Sequence, residues 1–89
     1  ANLGIWDWDL ITNTITWNDN HERLFGLEIG SFDGTYETFI NCVYNEDRDL
    51  ISQALEFALE NNSDFYQEFR VVWSDNSIHW IASKGHFFY

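Results

Sequence analysis

The chain has 89 residues, with fifteen acidic side chains against four basic ones and a formal net charge of −11 at pH 7. This length allows one domain, and five tryptophans, four tyrosines and eight phenylalanines supply the apolar material for its core. Such an acidic surface repels phosphate backbones and anionic lipid headgroups, which argues against nucleic-acid partners and against membrane contact by this domain.

Cysteine content and hydropathy favour a cytoplasmic location. The single cysteine, Cys42, cannot form an internal disulfide, which fits a reducing compartment. No apolar run approaches the roughly 18–20 residues of a membrane span. The chain contains no methionine, even at position 1, so we expect it to be a piece excised from a longer protein.

The amino-terminal residues alternate between apolar and polar side chains. In GIWDWDL, Trp6, Trp8 and Leu10 fall on one side and Asp7 and Asp9 on the other, which is the two-residue period of a half-buried strand. A second alternating run, TITW, follows turn residues. The pattern predicts an antiparallel hairpin.

Helical patterns occupy the middle of the chain. NDNHERLFGL predicts a short helix that is capped by Asn18 or Asp19 and ended by Gly26. TYETFINCV has a helical period. NEDRDLISQALEFALENN has the strongest pattern, with Asn45 as its predicted cap and Asp47 among the acids that suit its positive end.

The carboxyl-terminal residues return to a two-residue period. FYQEFRVVW and IHWIASKGHFFY predict two strands joined by SDNS, in which Asn76 tolerates the positive φ that a tight turn needs. The order strand–strand–helices–strand–strand indicates an α+β fold with an antiparallel sheet.

Both faces of these last two strands carry large side chains. One face packs on the helices, and the other keeps more apolar groups than a solvated surface requires. Such a patch usually marks an interaction surface. We therefore predict an interface and signalling face made of Tyr66, Arg70, Val72 and Trp80.

These segments together resemble the PAS domain, in the sensory form of bacterial signalling proteins such as sensor histidine kinases and diguanylate cyclases. The resemblance rests on GIWDWDL and ITW, ERLFGL, YETFINCVYNEDRDLISQAL, and FYQEFRVVWSDNSIHWIASKG, and it covers nearly the whole chain in order and spacing. Tyr44 and Asn45 replace the His-Pro of the usual "HPeD" helix start, and Asp75 and Asn76 replace the "DG" turn. Asparagine is still a good helix cap.

The resemblance implies a five-stranded sheet in the order 2-1-5-4-3 with helices on one face. The chain ends at Tyr89, close to the end of its fourth strand. We therefore expect residues 1–89 to be a single PAS sensory domain truncated before its last strand, so that the central fifth strand is missing. Unpaired strand edges are sticky, so we expect the gap to stay open or to be filled by another chain, as a homodimer or by strand exchange through the sheet.

In PAS folds a ligand lies between the inner sheet face and the two longer helices. The resemblance places the candidate ligand pocket at seven residues, which are Phe39, Cys42, Leu55, Phe69, Val71, Ile81 and Ser83. Ligand pockets are mostly apolar with a few polar groups, and this lining fits that description. It fits a filled core without a ligand equally well, and both interpretations stay open.

The sequence predicts no cofactor or metal. Flavin-binding relatives carry NCRFLQ, whereas Cys42 lies in INCV, which favours a small buried hydrophobic role. His79 and His86 are seven residues apart and face opposite sides of a strand, and His21 lies in a separate helix. Without CxxC or HxxxH spacing, metal is not expected, and neither are flavin and haem.

No catalytic residues are predicted, because the sequence lacks a nucleophile elbow, a phosphate-binding glycine loop and a Ser-His-Asp order. We expect the domain not to be an enzyme. The resemblance implies a regulatory module that binds a small ligand or relays a conformational signal to an output domain of the same chain. The parent is expected to be a sensor histidine kinase, with a diguanylate cyclase or phosphodiesterase, or a ligand-free pairing module, as alternatives.

Overall fold

The fold is a four-stranded sheet with helices on one face, and the computed structural model describes residues 3–89. The predicted order of elements is confirmed. The elements are β1 (Leu3–Asp9), β2 (Thr14–Trp17), α1 (Asp19–Leu24), α2 (Tyr36–Cys42), a 3₁₀ turn (Asn45–Asp47), α3 (Arg48–Glu60), β3 (Phe65–Val72) and β4 (Ile78–Phe88).

Residues in the left-handed region mark the turns. Asn13 turns the β1–β2 hairpin with φ 54°, and Asn76 turns the β3–β4 hairpin with φ 67°. Gly26 follows α1 with φ 74°. Asparagine and glycine tolerate this region better than other residues, so local chemistry determined these three turns, as predicted.

Helix starts follow the local pattern in two cases out of three. The side chains of Asn18 and Thr35 cap α1 and α2. The predicted cap at Asn45 is wrong, because Asn45 begins the 3₁₀ turn and Asp47 takes the cap position of α3. Asp47 makes no side-chain cap bond, since its carboxylate accepts hydrogen bonds from Arg70 instead.

The strands follow the order β2-β1-β4-β3. The pairs β1–β2 and β3–β4 are antiparallel, whereas β1 and β4 pair in parallel over the register from Leu3↔Ala82 to Asp9↔Phe88. The α+β class is confirmed, and a fifth strand is absent from residues 3–89. The expectation of a gap between β1 and β4, left open or filled by another chain, is wrong, and their parallel pairing is the one exception to the predicted antiparallel sheet within residues 3–89.

Strand direction explains the parallel pair. In the order 2-1-5-4-3, strands 1 and 4 both run opposite to strand 5, so they run parallel to each other when strand 5 is absent. Each would then carry a row of unpaired backbone N–H and C=O groups, which is unfavourable. Direct pairing of β1 with β4 satisfies these groups within the chain.

Large and small side chains interlock across this pair. Trp6 of β1 faces Gly85 of β4, and a Cβ on Gly85 would lie 2.1 Å from Cζ2 of the Trp6 indole. The indole cannot easily move, since it is 3% exposed and its Nε1–H donates to Oγ of Ser83 at 2.8 Å. The indole belongs to the hydrophobic core, which consists of Trp6, Ile15, Trp17, Phe25, Phe39, Val43, Ile51, Leu55, Ala58, Phe65, Phe69, Val71, Ile81 and Phe87.

The first prediction concerns this interlock. Gly85→Ala should lower the free energy of unfolding by about 1–3 kcal/mol, because the added methyl group overpacks the space that the Trp6 ring fills. Urea unfolding followed by tryptophan fluorescence measures the change. Lys84→Ala, at the exposed neighbouring position, is the control, and equal stability of Gly85→Ala and Lys84→Ala would contradict the interlock.

Candidate functional site

The predicted pocket residues lie between the helices and the inner face of the sheet. Six are buried, which are Phe39, Leu55, Phe69, Val71, Ile81 and Ser83. Cys42 is half-buried and packs against the core, and burial raises the pKa of its thiol. The structure therefore brings the seven residues to one region, on α2, α3, β3 and β4.

Aromatic rings fill this region. The interior void is lined by Trp6, Trp8, Ile15, Trp17, Phe39 and Leu55, and within residues 3–89 its volume accessible to water is about 0 Å³. Trp6 packs at 5.6 Å from Phe65 and at 5.5 Å from Phe87 between ring centroids. Of the two interpretations of the lining, this geometry favours the filled core.

A buried polar cluster lies at the edge of the filled core. Oγ of Ser83 accepts the Trp6 indole N–H and lies 2.9 Å from Nε2 of His21. His21 and Ser83 are both fully buried, and the imidazole lies against Trp17 and Phe25 at 4.3 and 4.6 Å between centroids. The sequence did not predict this cluster, because 62 residues separate His21 from Ser83.

The imidazole of His21 is held neutral. Burial lowers its pKa from 6.5 to about 3. If the Ser83 hydroxyl donates to Nε2, the ring proton is on Nδ1, which has no hydrogen-bond partner within residues 3–89. In the other tautomer Nδ1 is an unpaired acceptor. Both tautomers leave one polar group unmatched in the core, which makes any added charge there costly.

An ion pair joins the start of α3 to β3. Arg70 donates to the Asp47 carboxylate from its backbone N at 2.9 Å, from Nε at 3.0 Å and from Nη2 at 2.7 Å. Hydrogen bonds from the Arg70 side chain lower the pKa of Asp47. The sequence assigned Asp47 to the helix dipole alone, because no local pattern identifies a partner 23 residues away.

The predicted interface residues share the outer face of the sheet. Arg70 pairs with Trp80 and Val72 pairs with Ile78 across β3 and β4, and residues directly opposite each other point to one face. Tyr66 is 57% exposed and Trp80 is 63% exposed. The guanidinium of Arg70 lies 5.2 Å from the Trp80 ring centroid, so the ion pair reaches this surface.

The sequence missed part of the outer apolar patch. Ile5 of β1 and Ile78 of β4 are about half exposed on the same face. Alternation along each strand identifies both as outward-facing. Only the pairing of β1 with β4, which the sequence did not predict, adds Ile5 to the patch.

The histidines outside the core have separate neighbours. His79 stacks on Trp73 at 3.6 Å between centroids, and Nδ1 of His86 lies 2.7 Å from the Asp64 carboxylate. Residues 3–89 contain no group of three or more His, Cys, Asp or Glu side chains that could hold a metal ion. None of the helices in this part of the chain is long and apolar enough to cross a membrane.

A four-stranded sheet, helices on its inner face and an aromatic interior define an α+β domain, and the family model of the PAS fold matches residues 14–89. The chain belongs to the PAS fold family. The domains of this family are regulatory sensory modules, not enzymes.

Two relatives are signalling proteins. The chain is 27% identical over 77 residues to the probable diguanylate cyclase DgcE of Escherichia coli strain K12, covering 86% of this chain and 7% of that protein. It is 26% identical over 85 residues to a blue-light-activated histidine kinase of Brucella anthropi, covering 96% of this chain and 17% of that protein. The chain thus spans less than a fifth of either relative.

Two solved structures share the fold. The first is a sensory box histidine kinase/response regulator from Burkholderia thailandensis E264, with TM-score 0.67 and 23% identity, covering 89% of this chain and 58% of that one. The second is the PAS domain of a GGDEF family protein from Chromobacterium violaceum ATCC 12472, with TM-score 0.57 and 21% identity, covering 91% of this chain and 75% of that one. The predicted PAS fold is confirmed.

The second prediction follows from the buried imidazole. An unfolded histidine titrates near pH 6.5, whereas folded His21 titrates near 3, so between these values the unfolded state binds the extra proton. The contribution of neutral His21 to the free energy of unfolding is therefore fully present above pH 6.5 and decreases as the pH is lowered toward 3. At pH 5 the free energy of unfolding should be about 2 kcal/mol lower than at pH 7.5.

Urea unfolding between pH 5 and 7.5 measures this loss, because carboxylates titrate mainly below this range. His21→Gln should flatten the pH profile between pH 5 and 7.5. A profile of the same slope in His21→Gln would show that another group is responsible.

Proposed function

We propose that this domain is a sensory PAS module that pairs with a second copy through the outer face of its sheet and relays a conformational signal to an output domain of the same chain. The observation that carries the proposal is the apolar outer face around Trp80. A histidine kinase parent is proposed first and a diguanylate cyclase parent second, and both classes occur among the relatives. The proposed location is the cytoplasm.

Exposed area supports the pairing surface. Ile5, Tyr66, Ile78 and Trp80 are each between 48% and 63% exposed and lie on the same face of adjacent strands. Contiguous apolar patches on soluble proteins commonly mark interaction sites. Trp80 is the most exposed of these four residues, and tryptophan, tyrosine and arginine are the residues that most often dominate binding energy.

Charge supports the same surface. A chain of net charge −11 repels its own copies over most of its surface. The outer face differs, since Arg70 and Lys84 are two of the four basic residues and stand against four acidic ones, Asp7, Asp9, Asp64 and Glu68, of which Asp64 contacts His86. Repulsion between two copies is therefore weakest when these faces meet.

Side-chain contacts offer a route for the relay. The guanidinium of Arg70 lies between the rings of Trp80 and Tyr44 and is hydrogen-bonded to Asp47 at the start of α3. A contact that shifts Trp80 would thus act on the ion pair that positions this helix. Coupling requires different contacts in the two states and is typically about 1–3 kcal/mol.

The filled interior favours a relay that needs no internal ligand. A ligand at Phe39 and Leu55 would have to displace the rings of Trp6 and Trp17, which line the same space. The proposal accordingly includes no flavin and no haem. An internal ligand sensor is the second candidate, and it is favoured only by the apolar lining of the region.

The third prediction tests the pairing surface. Trp80→Ala should weaken self-association at least about tenfold, because truncating a binding hot spot, for which tryptophan is enriched, costs about 2 kcal/mol or more. Sedimentation equilibrium over a range of protein concentrations measures the dissociation constant. Phe57→Ala is the matched control, since Phe57 is 66% exposed but lies on α3, on the other side of the sheet. Monomeric wild-type protein, or equal weakening by both variants, would contradict the proposal.

The fourth prediction tests the charge argument. Lys84→Glu should weaken self-association and make it strengthen with added salt, because salt screens the new repulsion between the two faces. Arg23→Glu changes the net charge equally, but from an exposed position on α1, and should have the smaller effect. Sedimentation at low and high salt distinguishes them, and indistinguishable variants would rule out a charge-matched face.

A further inference from the structure

A groove on the helical side of the molecule lies outside the filled interior. It has a volume of about 240 Å³ and is lined by Trp8, Tyr36, Ser52, Leu55, Glu56 and Leu59. We propose that this groove binds a small organic cation, an amine or a quaternary ammonium compound. The inference goes beyond the pairing function and does not depend on the outer face.

Two aromatic rings in the groove are held in place before any ligand arrives. The indole Nε1–H of Trp8 donates to Oδ1 of Asn13 at 3.1 Å, which fixes the ring to the β1–β2 turn. The hydroxyl of Tyr36 lies 3.0 Å from Oγ of Ser52, which fixes that ring to α3. The rings are 24° from parallel, with centroids 6.0 Å apart. Preorganised rings lose little freedom on binding, and a cation would lie against the parts of the two rings that line the groove, not between them, because the rings stack on each other.

The charge of the groove matches a cation. Glu56 is exposed on the groove, and none of the other lining residues is charged. Ser52, Leu55, Glu56 and Leu59 are spaced three and four residues apart, so they lie along one face of α3. The two leucines offer apolar contacts for methyl groups, and Glu56 offers a countercharge. An anionic ligand would meet repulsion from Glu56 and from a chain of net charge −11.

Trp8 connects the groove to the core. Its ring lines both the groove and the interior void, and its centroid lies 6.5 Å from that of Trp6 and 5.9 Å from that of Phe87. A cation bound against Trp8 would contact a ring that packs on the centre of the sheet. The domain would thereby respond to a ligand without opening its filled interior.

The test uses choline as the probe and 3,3-dimethylbutan-1-ol as its uncharged analogue of the same shape. Titration of the 89-residue chain is followed by NMR of the tryptophan indole N–H signals, with the Trp8 signal assigned from Trp8→Phe. We expect saturable shifts centred on Trp8 for choline, and binding of the analogue about tenfold weaker because it lacks the attraction of a cation to ring faces.

Two glutamate variants provide the matched control. Glu56→Gln should weaken choline binding about threefold, as expected for an exposed carboxylate countercharge. Glu68→Gln removes the same charge from the outer face of β3 and should leave binding unchanged. Equal binding of choline and its analogue, equal effects of the two variants, shifts centred elsewhere, or no saturable binding would each overturn the inference. Trp80→Ala should still bind choline, which separates this test from that of the pairing surface.

Discussion

The packing of the Trp6 indole against Gly85 is the contact on which the rest of the structure depends. It joins β1 to β4 at the centre of the sheet, and the same ring reaches α2 through Phe39 and β3 through Phe65. Its indole N–H donates to the Ser83 hydroxyl, so the ring also organises the buried polar cluster. A smaller residue at position 6 would leave a cavity and would remove one of the two hydrogen bonds of the Ser83 hydroxyl, which are separate costs.

Local chemistry made the elements predictable, whereas contacts between distant residues were not predictable. The turns at Asn13, Gly26 and Asn76 and the alternation of each strand follow from conformational preference and burial. The alternation of apolar and polar residues correctly identified the side chains around Trp80 that point to the outer face. Alternation shows which face a side chain is on, but not which residue it contacts. The ion pair of Asp47 with Arg70, the contact of His21 with Ser83, and the parallel pairing of β1 with β4 join segments whose spacing carries no information about their meeting. The cap predicted at Asn45 is wrong because a 3₁₀ turn precedes α3 and moves the cap position to Asp47, whose carboxylate binds the distant Arg70.

The interior and the surface of the domain have different roles. Indole and phenyl rings occupy the region in which a ligand was considered, and the one imidazole buried there is kept neutral by its apolar surroundings. The outer sheet face has exposed aromatic rings and the groove beside Trp8 has half-buried ones, each with a charged neighbour, Arg70 in the first case and Glu56 in the second. Aromatic rings next to a charge suit recognition better than packing, since they combine apolar area with direction.

The ladder between β1 and β4 also constrains how the chain acquires its fold. Its register joins residues 3–9 to residues 82–88, so forming it closes a loop of nearly the whole chain. The chain must lose much conformational entropy before contacts of such long sequence separation can form and stabilise it. Proteins that depend on such contacts fold slowly. During synthesis, the β1–β2 hairpin and the helices must wait, with their aromatic side chains uncovered, until β4 has left the ribosome. The acidic surface keeps such partly folded chains apart during that interval, because like charges repel.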